Sequence, residues 1–230
     1  MPYRRLPNTD LSRIKALKTA LSAGSQMTPM ELPFSQKTFL DLKTFFPHFE
    51  QTIFQYKHNK ERQATVYKQL VVQYRSARLY VSHFFQVVNF SILRGEIKPE
   101  VRIFYGLQET DTTTPIISTE QQLITWGKKL ISGEEERILT GATRIYNPSL
   151  QMVKVKYEKF CELYYTHKHL QNTTQKLLEK VTENRLYSDR LITDIWNEVK
   201  QNLEHLPQEE QTEQCRKFGV VYFSRKKKEK

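Results

Sequence analysis

Glycine, proline and cysteine are scarce in this chain, and each shortage excludes a class of fold. Seven glycines in 230 residues are too few for the frequent tight turns of an all-β protein. The two cysteines, Cys161 and Cys215, cannot form a disulfide framework, which indicates a reducing, cytoplasmic compartment. The most apolar run, 81–93, is too short to span a membrane, and the first residues lack a signal-peptide pattern.

Two long stretches, 48–94 and 149–206, contain neither proline nor glycine. In both stretches apolar and aromatic residues recur three and four positions apart, which is typical of amphipathic helices. At about 1.5 Å per residue, unbroken helices over these stretches would be on the order of 70 to 90 Å long. The sequence therefore predicts an all-α fold, an elongated helical bundle with long helices.

The spacing in both stretches follows a heptad, which predicts coiled-coil-like winding against a neighbouring helix. The first seam is Phe46, Phe49, Ile53, Tyr56, Lys60, Gln63, Tyr67, Leu70, Tyr74, Ala77, Val81, Phe84 and Val88, and the second begins with Leu150, Val153, Tyr157, Phe160 and Tyr164. Tyrosine and phenylalanine at these positions are interpreted as core rather than as stacking platforms for bases.

Both seams turn polar in the middle, and two structures fit that pattern. Either each stretch is one continuous or gently kinked helix, or the chain reverses near 57–61 and 171–174 to form the hairpins of a four-helix bundle. Neither position carries glycine or another strong turn former. The turn chemistry therefore favours continuous helices.

The chain divides by sequence into two helical halves, 1–107 and 119–230, with a linker at 108–118 that is rich in threonine and contains Pro115. Arg78-Leu79-Tyr80 in the first half matches Arg185-Leu186-Tyr187 in the second, and apolar residues follow at the same spacing. This match is consistent with a tandem duplication. The alternative is a chance match between two heptad-patterned helices.

Helix start and stop signals mark the shorter elements. Thr9 or Asp10 is expected to cap a helix that ends at Gly24, and Ser35 is expected to begin the next one. Ser118 is expected to cap a third helix, and Asn147-Pro148 to begin the second long helix. The apolar segment 218–223 is expected to be a short strand or an extended segment.

Several segments resemble a known family. YRRLPNTD near the N-terminus, RLYVSHFFQVVN, NPSLQMVKVKYEKF, IWNEV and FGVVYFSRK near the C-terminus are similar to segments of a family of uncharacterised, all-helical bacterial proteins. The resemblance extends from Tyr3 to Arg225 and implies a complete bacterial protein. No activity is assigned to that family, so the resemblance implies no functional residue.

The excess of positive charge is the feature that indicates an anionic binding partner. The net charge is +11, and between 48 and 94 lysine and arginine outnumber the two acidic residues, Glu50 and Glu61. Such a basic helix face is able to neutralise phosphates without reading sequence. The candidate nucleic-acid or anion contacts are Lys57, Lys60, Lys68, Arg75 and Arg78 on the helix and Arg225, Lys226 and Lys227 in the tail. Arg4 and Arg5 are possible additions, and the alternative is a solvated cationic surface.

The chain contains His, Cys and Glu residues, but their spacing is not that of a catalytic or metal site. His167 and His169 are two apart, so a helix turns them to different sides. Cys161 has no evident base beside it, and the run Glu134-Glu135-Glu136 is interpreted as a solvated or N-terminal acidic face. We therefore expect no enzyme activity, no cofactor, no metal and no small-molecule substrate.

The sequence predicts a non-enzymatic interaction or scaffold protein that self-associates through its heptad seams, with itself or another helical protein as the partner. The alternative is a sequence-nonspecific nucleic-acid-binding protein that uses the basic helix face.

Overall fold

The structure, a computed structural model, describes residues 3–223. In chain order its elements are β1 (Tyr3–Arg4), α1 (Asp10–Gly24), α2 (Gln36–Leu93), a 3-10 helix (Pro99–Tyr105), α3 (Glu120–Leu139), α4 (Leu150–Asn202), α5 (Gln208–Lys217) and β2 (Tyr222–Phe223). The prediction of an all-α fold with two long helices is confirmed. No helix within residues 3–223 has both the length and the apolar character that crossing a bilayer requires.

The two long stretches form continuous helices, as the turn chemistry favoured. α2 passes through Pro47 without ending, and neither 57–61 nor 171–174 contains a turn. Asn59 Nδ2 donates a hydrogen bond of 2.7 Å to Thr174 Oγ1, so part of the polar middle of the seams pairs across the two helices. A polar pair inside a helix interface thus produces the same sequence pattern as a turn.

Side chains at the starts of α1 and α2 fulfil the capping predictions. Thr9 caps α1 in a capping box with Ser12, and Ser35 Oγ accepts a hydrogen bond from the Thr38 amide at 3.1 Å. The predicted cap at Ser118 is wrong by one residue, because Thr119 forms the capping box with Gln122.

The predicted start of α4 at Asn147-Pro148 is wrong as well. α4 begins at Leu150, and Ser149 Oγ accepts the hydrogen bond from the Met152 amide at 3.3 Å. Asn147 and Ser149 are both good capping residues. Sequence alone could not choose between two such residues so close together.

The chain forms two compact units, which we call unit 1 (1–60 and 173–230) and unit 2 (61–172). These units differ from the expected halves, 1–107 and 119–230, because each unit includes part of α2 and part of α4. The expected linker at 108–118 falls within unit 2, where Ile117 is 3% exposed.

Unit 1 packs α1, the first part of α2, the last part of α4 and α5 around one core. Its buried centre includes Leu17, Leu42, Phe49, Ile53, Val181, Ile192, Trp196, Val199 and Cys215. β1 and β2 pair antiparallel, with Tyr3 opposite Phe223 and Arg4 opposite Tyr222. The strand expected within 218–223 is therefore present at its end.

Unit 2 packs the second part of α2, the 3-10 helix, α3 and the first part of α4. Its buried centre includes Leu70, Ala77, Val81, Phe84, Phe85, Tyr105, Leu123, Leu130, Val153 and Phe160. Gly127 leaves room for the ring of Tyr157, whose hydroxyl donates to the Ile124 carbonyl at 2.8 Å. This close approach of α3 to α4 explains why a glycine lies in mid-helix.

The apolar seam positions are mainly core, with one clear exception. Tyr67, 51% exposed, lies at the surface and its ring centroid is 5.3 Å from that of His167. Burial agrees at some matched positions, since Leu79 and Leu186 are both exposed and Phe85 and Ile192 are both buried. It differs at others, since Tyr80 is half-buried whereas Tyr187 is exposed. The tandem duplication and the coiled-coil winding stay predictions.

Candidate nucleic-acid or anion interface

The five candidate cations on α2 are all exposed. Lys57 and Lys60 belong to unit 1, whereas Lys68, Arg75 and Arg78 belong to unit 2. Within residues 3–223 none of the five has a carboxylate oxygen within 4 Å. The three tail candidates Arg225, Lys226 and Lys227 lie outside the described residues.

The cations in unit 1 have neighbours of their own. The ammonium of Lys60 lies 5.9 Å from the centroid of the Tyr56 ring. Lys57 contributes to the electrostatic field that lowers the pKa of Asp10. These two lysines are therefore partly engaged with unit 1, whereas among residues 3–223 no such contact involves Lys68, Arg75 or Arg78.

An apolar row lies beside the cations of unit 2. Val72 is 60% exposed, Leu79 is 65% exposed and Phe90 is 57% exposed. At about 100° of rotation per residue, these three side chains leave the α2 axis in directions within roughly 20° of one another. Lys68 and Arg75 lie along one edge of this row. We call Val72, Leu79 and Phe90 the outer row. Sequence reasoning missed it because it considered only the stronger heptad seam.

A cluster of two acids and two arginines joins α1 to α4 in unit 1. Arg13 Nε donates to Asp189 Oδ1 at 2.8 Å, and Arg185 Nε donates to Asp10 Oδ1 at 2.7 Å. The hydrogen bond from Arg185, aided by the charges of Arg185, Arg13 and Lys57, lowers the pKa of Asp10 below its ordinary value of 3.8. The carboxylates are fully used in binding the two helices together, so the cluster is structural.

Unit 2 contains a buried polar network. Tyr105 Oη donates to Glu134 Oε2 at 2.6 Å, and Arg137 donates to both Glu134 oxygens at 2.7 Å. Arg137 also donates to the Thr143 carbonyl at 2.7 Å. Burial, together with the neighbouring Glu134 carboxylate, raises the pKa of the Tyr105 phenol, and the hydrogen bond to Glu134 raises the pKa of Arg137.

The interpretation of Glu134 as part of a solvated acidic face is therefore wrong. Its side chain is 1% exposed, and that of Arg137 is 2% exposed. The spacing of Glu134 and Arg137, three residues apart on one helix, was the available signal. Gly133, which precedes Glu134, lets the Phe104 carbonyl approach α3 closely, and the hydroxyl of the next residue, Tyr105, donates to the Glu134 carboxylate.

The remaining candidates for chemistry are dispersed. Within residues 3–223 no group of three His, Cys, Asp or Glu side chains is placed to hold a metal ion. Burial raises the pKa of the Cys161 thiol, which disfavours the reactive thiolate. Arg4, considered as an additional cation, donates to Asn197 Oδ1 at 2.7 Å and lies 5.9 Å from the Trp196 ring centroid.

Comparison with known proteins yields no match among family models, curated proteins or solved structures. The resemblance to a family of uncharacterised bacterial proteins stays a prediction.

Proposed function

We propose that this is a non-enzymatic interaction protein that associates with a second copy of itself through the outer row of α2. The observation that carries the proposal is the exposure of Val72, Leu79 and Phe90, each more than half exposed, along one line of a helix. Exposed apolar side chains along one side of a helix are typical of protein-protein contact sites, and in this row the exposed polar residues His83 and Gln86 lie between Leu79 and Phe90.

The heptad seams named by the sequence-based hypothesis are a poor surface for association. In unit 2 Leu70, Val81 and Phe84 are all 0% exposed, because they form the core. The outer row lies on the opposite side of α2 from these residues. Self-association is therefore proposed through residues that the heptad does not include.

A twofold, antiparallel pairing of two α2 helices fits the spacing of the outer row. With the axis near Val81, Val72 of one copy lies opposite Phe90 of the other, and Leu79 lies close to the axis. Arg75 then lies beside Gln86 of the second copy rather than beside another cation. In this register Leu79 lies opposite His83, and Lys68 lies opposite Arg94, whose guanidinium is bound to Glu96 at 2.6 Å.

The test is the mass in solution of the full chain, measured by light scattering over a range of concentrations. We expect a mass above the 27.4 kDa of one chain, and we expect Leu79→Glu to raise the dissociation constant by about tenfold or more, because it places a charge at the centre of an apolar contact. Leu186→Glu is the matched control, since Leu186 is 61% exposed on α4 of unit 1.

Two outcomes would contradict the proposal. One is a mass of a single chain at high micromolar concentration, and the other is an equal weakening by Leu79→Glu and Leu186→Glu. Circular dichroism of each variant shows that the helices are retained, so a loss of association is separated from a loss of folding.

A second candidate function is sequence-nonspecific nucleic-acid binding by unit 2. It is favoured by the exposure of Lys68, Arg75 and Arg78 without a carboxylate within 4 Å in the described part of the chain. Three such contacts with duplex phosphates would release counterions and give a slope of about −2.7 for log affinity against log salt.

The nucleic-acid candidate is tested by fluorescence anisotropy with a labelled duplex and a labelled single strand at several salt concentrations. Lys68→Glu with Arg75→Glu is expected to abolish binding. The matched control, Lys43→Glu with Lys176→Glu, changes the charge equally at exposed helical positions in unit 1. Equal losses in both double variants, or no binding by the wild type at low salt, would reject this candidate.

The cellular setting is proposed to be the cytoplasm. Both cysteines are free, Cys161 half-buried and Cys215 buried, as is usual in a reducing compartment.

A further inference from the structure

Unit 1 contains a cavity of about 390 Å³ where the N-terminal segment, α1 and the C-terminal segment meet. Its volume is within the range of about 300 to 1,000 Å³ that is usual for small-molecule sites. We infer that this cavity binds a small anionic amphiphile, a carboxylate or phosphate group attached to an apolar body.

The walls of the cavity are held by backbone contacts. The pairing of β1 with β2 continues into a hydrogen bond of 3.3 Å from the Arg5 amide to the Val221 carbonyl. Gly219 has a φ of +81°, and a Cβ there would lie 2.7 Å from the Ala16 carbonyl oxygen. The C-terminal segment therefore lies directly against α1, which gives the cavity a formed wall.

The charge at the cavity is of one sign. Arg5, Lys15 and Arg216 line it, and no Asp or Glu of the described part of the chain does. Among residues 3–223 none of the three has a carboxylate oxygen within 4 Å. Asp10, the acid of α1, is bound to Arg185 at 2.7 Å. Three cations around one cavity favour an anionic group, and each guanidinium is able to bind a carboxylate or phosphate through two hydrogen bonds.

The rest of the lining is mostly apolar. Ala16 and Val220 are buried there, and Leu6, Val221 and Phe223 are each 43% exposed. The hydroxyls of Ser12 and Thr19 donate to backbone carbonyls at 2.8 Å. An inorganic anion would leave this apolar surface in water, whereas an amphiphile would cover it. This combination is the reason for assigning an apolar body to the ligand.

The test is isothermal titration calorimetry of the full chain with four probes. Octanoate and octyl phosphate carry both the charge and the chain, 1-octanol carries only the chain, and acetate carries only the charge. We expect saturable 1:1 binding of octanoate, octyl phosphate or both, and affinities at least about tenfold lower for 1-octanol and acetate. The stronger of the two anionic probes identifies the head group.

Paired variants locate the binding. Lys15→Gln with Arg216→Gln is expected to weaken the binding of the anionic probe by about tenfold or more. Lys18→Gln with Lys217→Gln removes the same charge from the same two helices, at residues that line a different cavity, and is expected to leave the affinity within about twofold. Amide shifts of Ala16 and Gly219 on titration report contact at the cavity itself.

Several results would overturn the inference. Equal affinity for octanoate and 1-octanol would show an apolar cleft without anion recognition, and equal losses in the two double variants would show diffuse attraction by the net charge. A chain that binds neither anionic probe but is captured by vesicles of anionic phospholipid would show that the cations recognise a membrane surface instead.

Discussion

The two units stabilise buried or partly buried charges in different ways. In unit 1, Asp10, Arg13, Arg185 and Asp189 link α1 to α4, and the side chain of Arg185 is 34% exposed. In unit 2, Glu134 and Arg137 lie three residues apart on α3 and are 1% and 2% exposed. The first cluster joins distant parts of the chain at the surface, and the second pair lies within one helix in the core.

The comparison shows that exposure determines what an ion pair contributes. A partly exposed pair is screened by water and adds a modest amount to stability. A buried pair offsets a large desolvation cost, so the removal of one partner is far more damaging than the removal of both. We therefore expect the two clusters to respond differently to similar substitutions.

Each unit contains one tryptophan, which allows the two to be followed separately. Trp126 lies in unit 2 and Trp196 in unit 1. A chain with Trp196→Phe reports the unfolding of unit 2 by fluorescence, and a chain with Trp126→Phe reports that of unit 1.

The largest expected effect is that of Arg137→Met in unit 2. The substitution leaves the Glu134 carboxylate buried, with the Tyr105 hydroxyl as its remaining donor, and is expected to lower the free energy of unfolding by about 3–5 kcal/mol. The measurement is urea unfolding followed by Trp126 fluorescence. Glu134→Met with Arg137→Met is expected to recover most of the loss, and a double variant as unstable as the single one would contradict this account.

An intermediate effect is expected for Gly133→Ala in unit 2. The added Cβ would meet the Phe104 carbonyl, which is backbone and unable to rotate away. Overpacking of this kind costs about 1–3 kcal/mol, even though alanine is the better helix former by about 1 kcal/mol. Trp126 fluorescence in urea measures the net loss.

Gly24→Ala in unit 1 is the comparison for Gly133→Ala. A Cβ at Gly24 would lie 2.8 Å from an edge carbon of the Phe39 ring, and a side chain is able to move where a carbonyl is not. We expect a smaller loss in the free energy of unfolding than for Gly133→Ala. Urea unfolding monitored by Trp196 fluorescence measures it. A larger loss at Gly24 than at Gly133 would show that the backbone contact is not the cause.

A smaller effect is expected for Asp10→Asn in unit 1, at most about 1 kcal/mol at pH 7. Because the pKa of Asp10 is lowered in the folded state, its stabilising contribution is present above its ordinary value of 3.8 and is lost as the pH falls through the lower, folded value. The difference between wild type and variant, measured through Trp196, should therefore shrink below about pH 4.

A more exposed pair provides the control for the pH measurement. Arg94 and Glu96 are bonded at 2.6 Å, but their side chains are 56% and 53% exposed. Glu96→Gln is expected to leave the stability of unit 2 unchanged within error. A pH-dependent loss that is as large in Glu96→Gln as in Asp10→Asn would remove the distinction by exposure.

Local rules explain which parts of the fold were predictable. The start of α1 at Asp10 depends on the Thr9 cap, and the start of α2 on Ser35. The buried positions of both long helices follow the three- and four-residue spacing. These features depend on residues within one or two turns of each other, so the sequence displays them directly.

Contacts between distant residues explain what was missed. The cations of α2 were predicted correctly to lie at the surface. Their distribution over two units was not predicted, because the periodicity of a helix identifies its buried face but not the segments that pack against that face. The burial of Glu134 depends on Tyr105 and on the approach of Phe104 to Gly133. The cavity in unit 1 requires both ends of the chain to meet.

The sequence by itself determined that the protein is helical, where α1 and α2 begin, and which residues along α2 are cationic, because hydrogen bonding along a helix and the 3.6-residue period are local. Tertiary structure alone decided that Asn59 pairs with Thr174 in the polar middle, that Glu134 and Arg137 of α3 are buried, and that Arg5, Lys15 and Arg216 surround one cavity. The reason is that these outcomes depend on the packing of segments far apart in the chain, which no local pattern encodes.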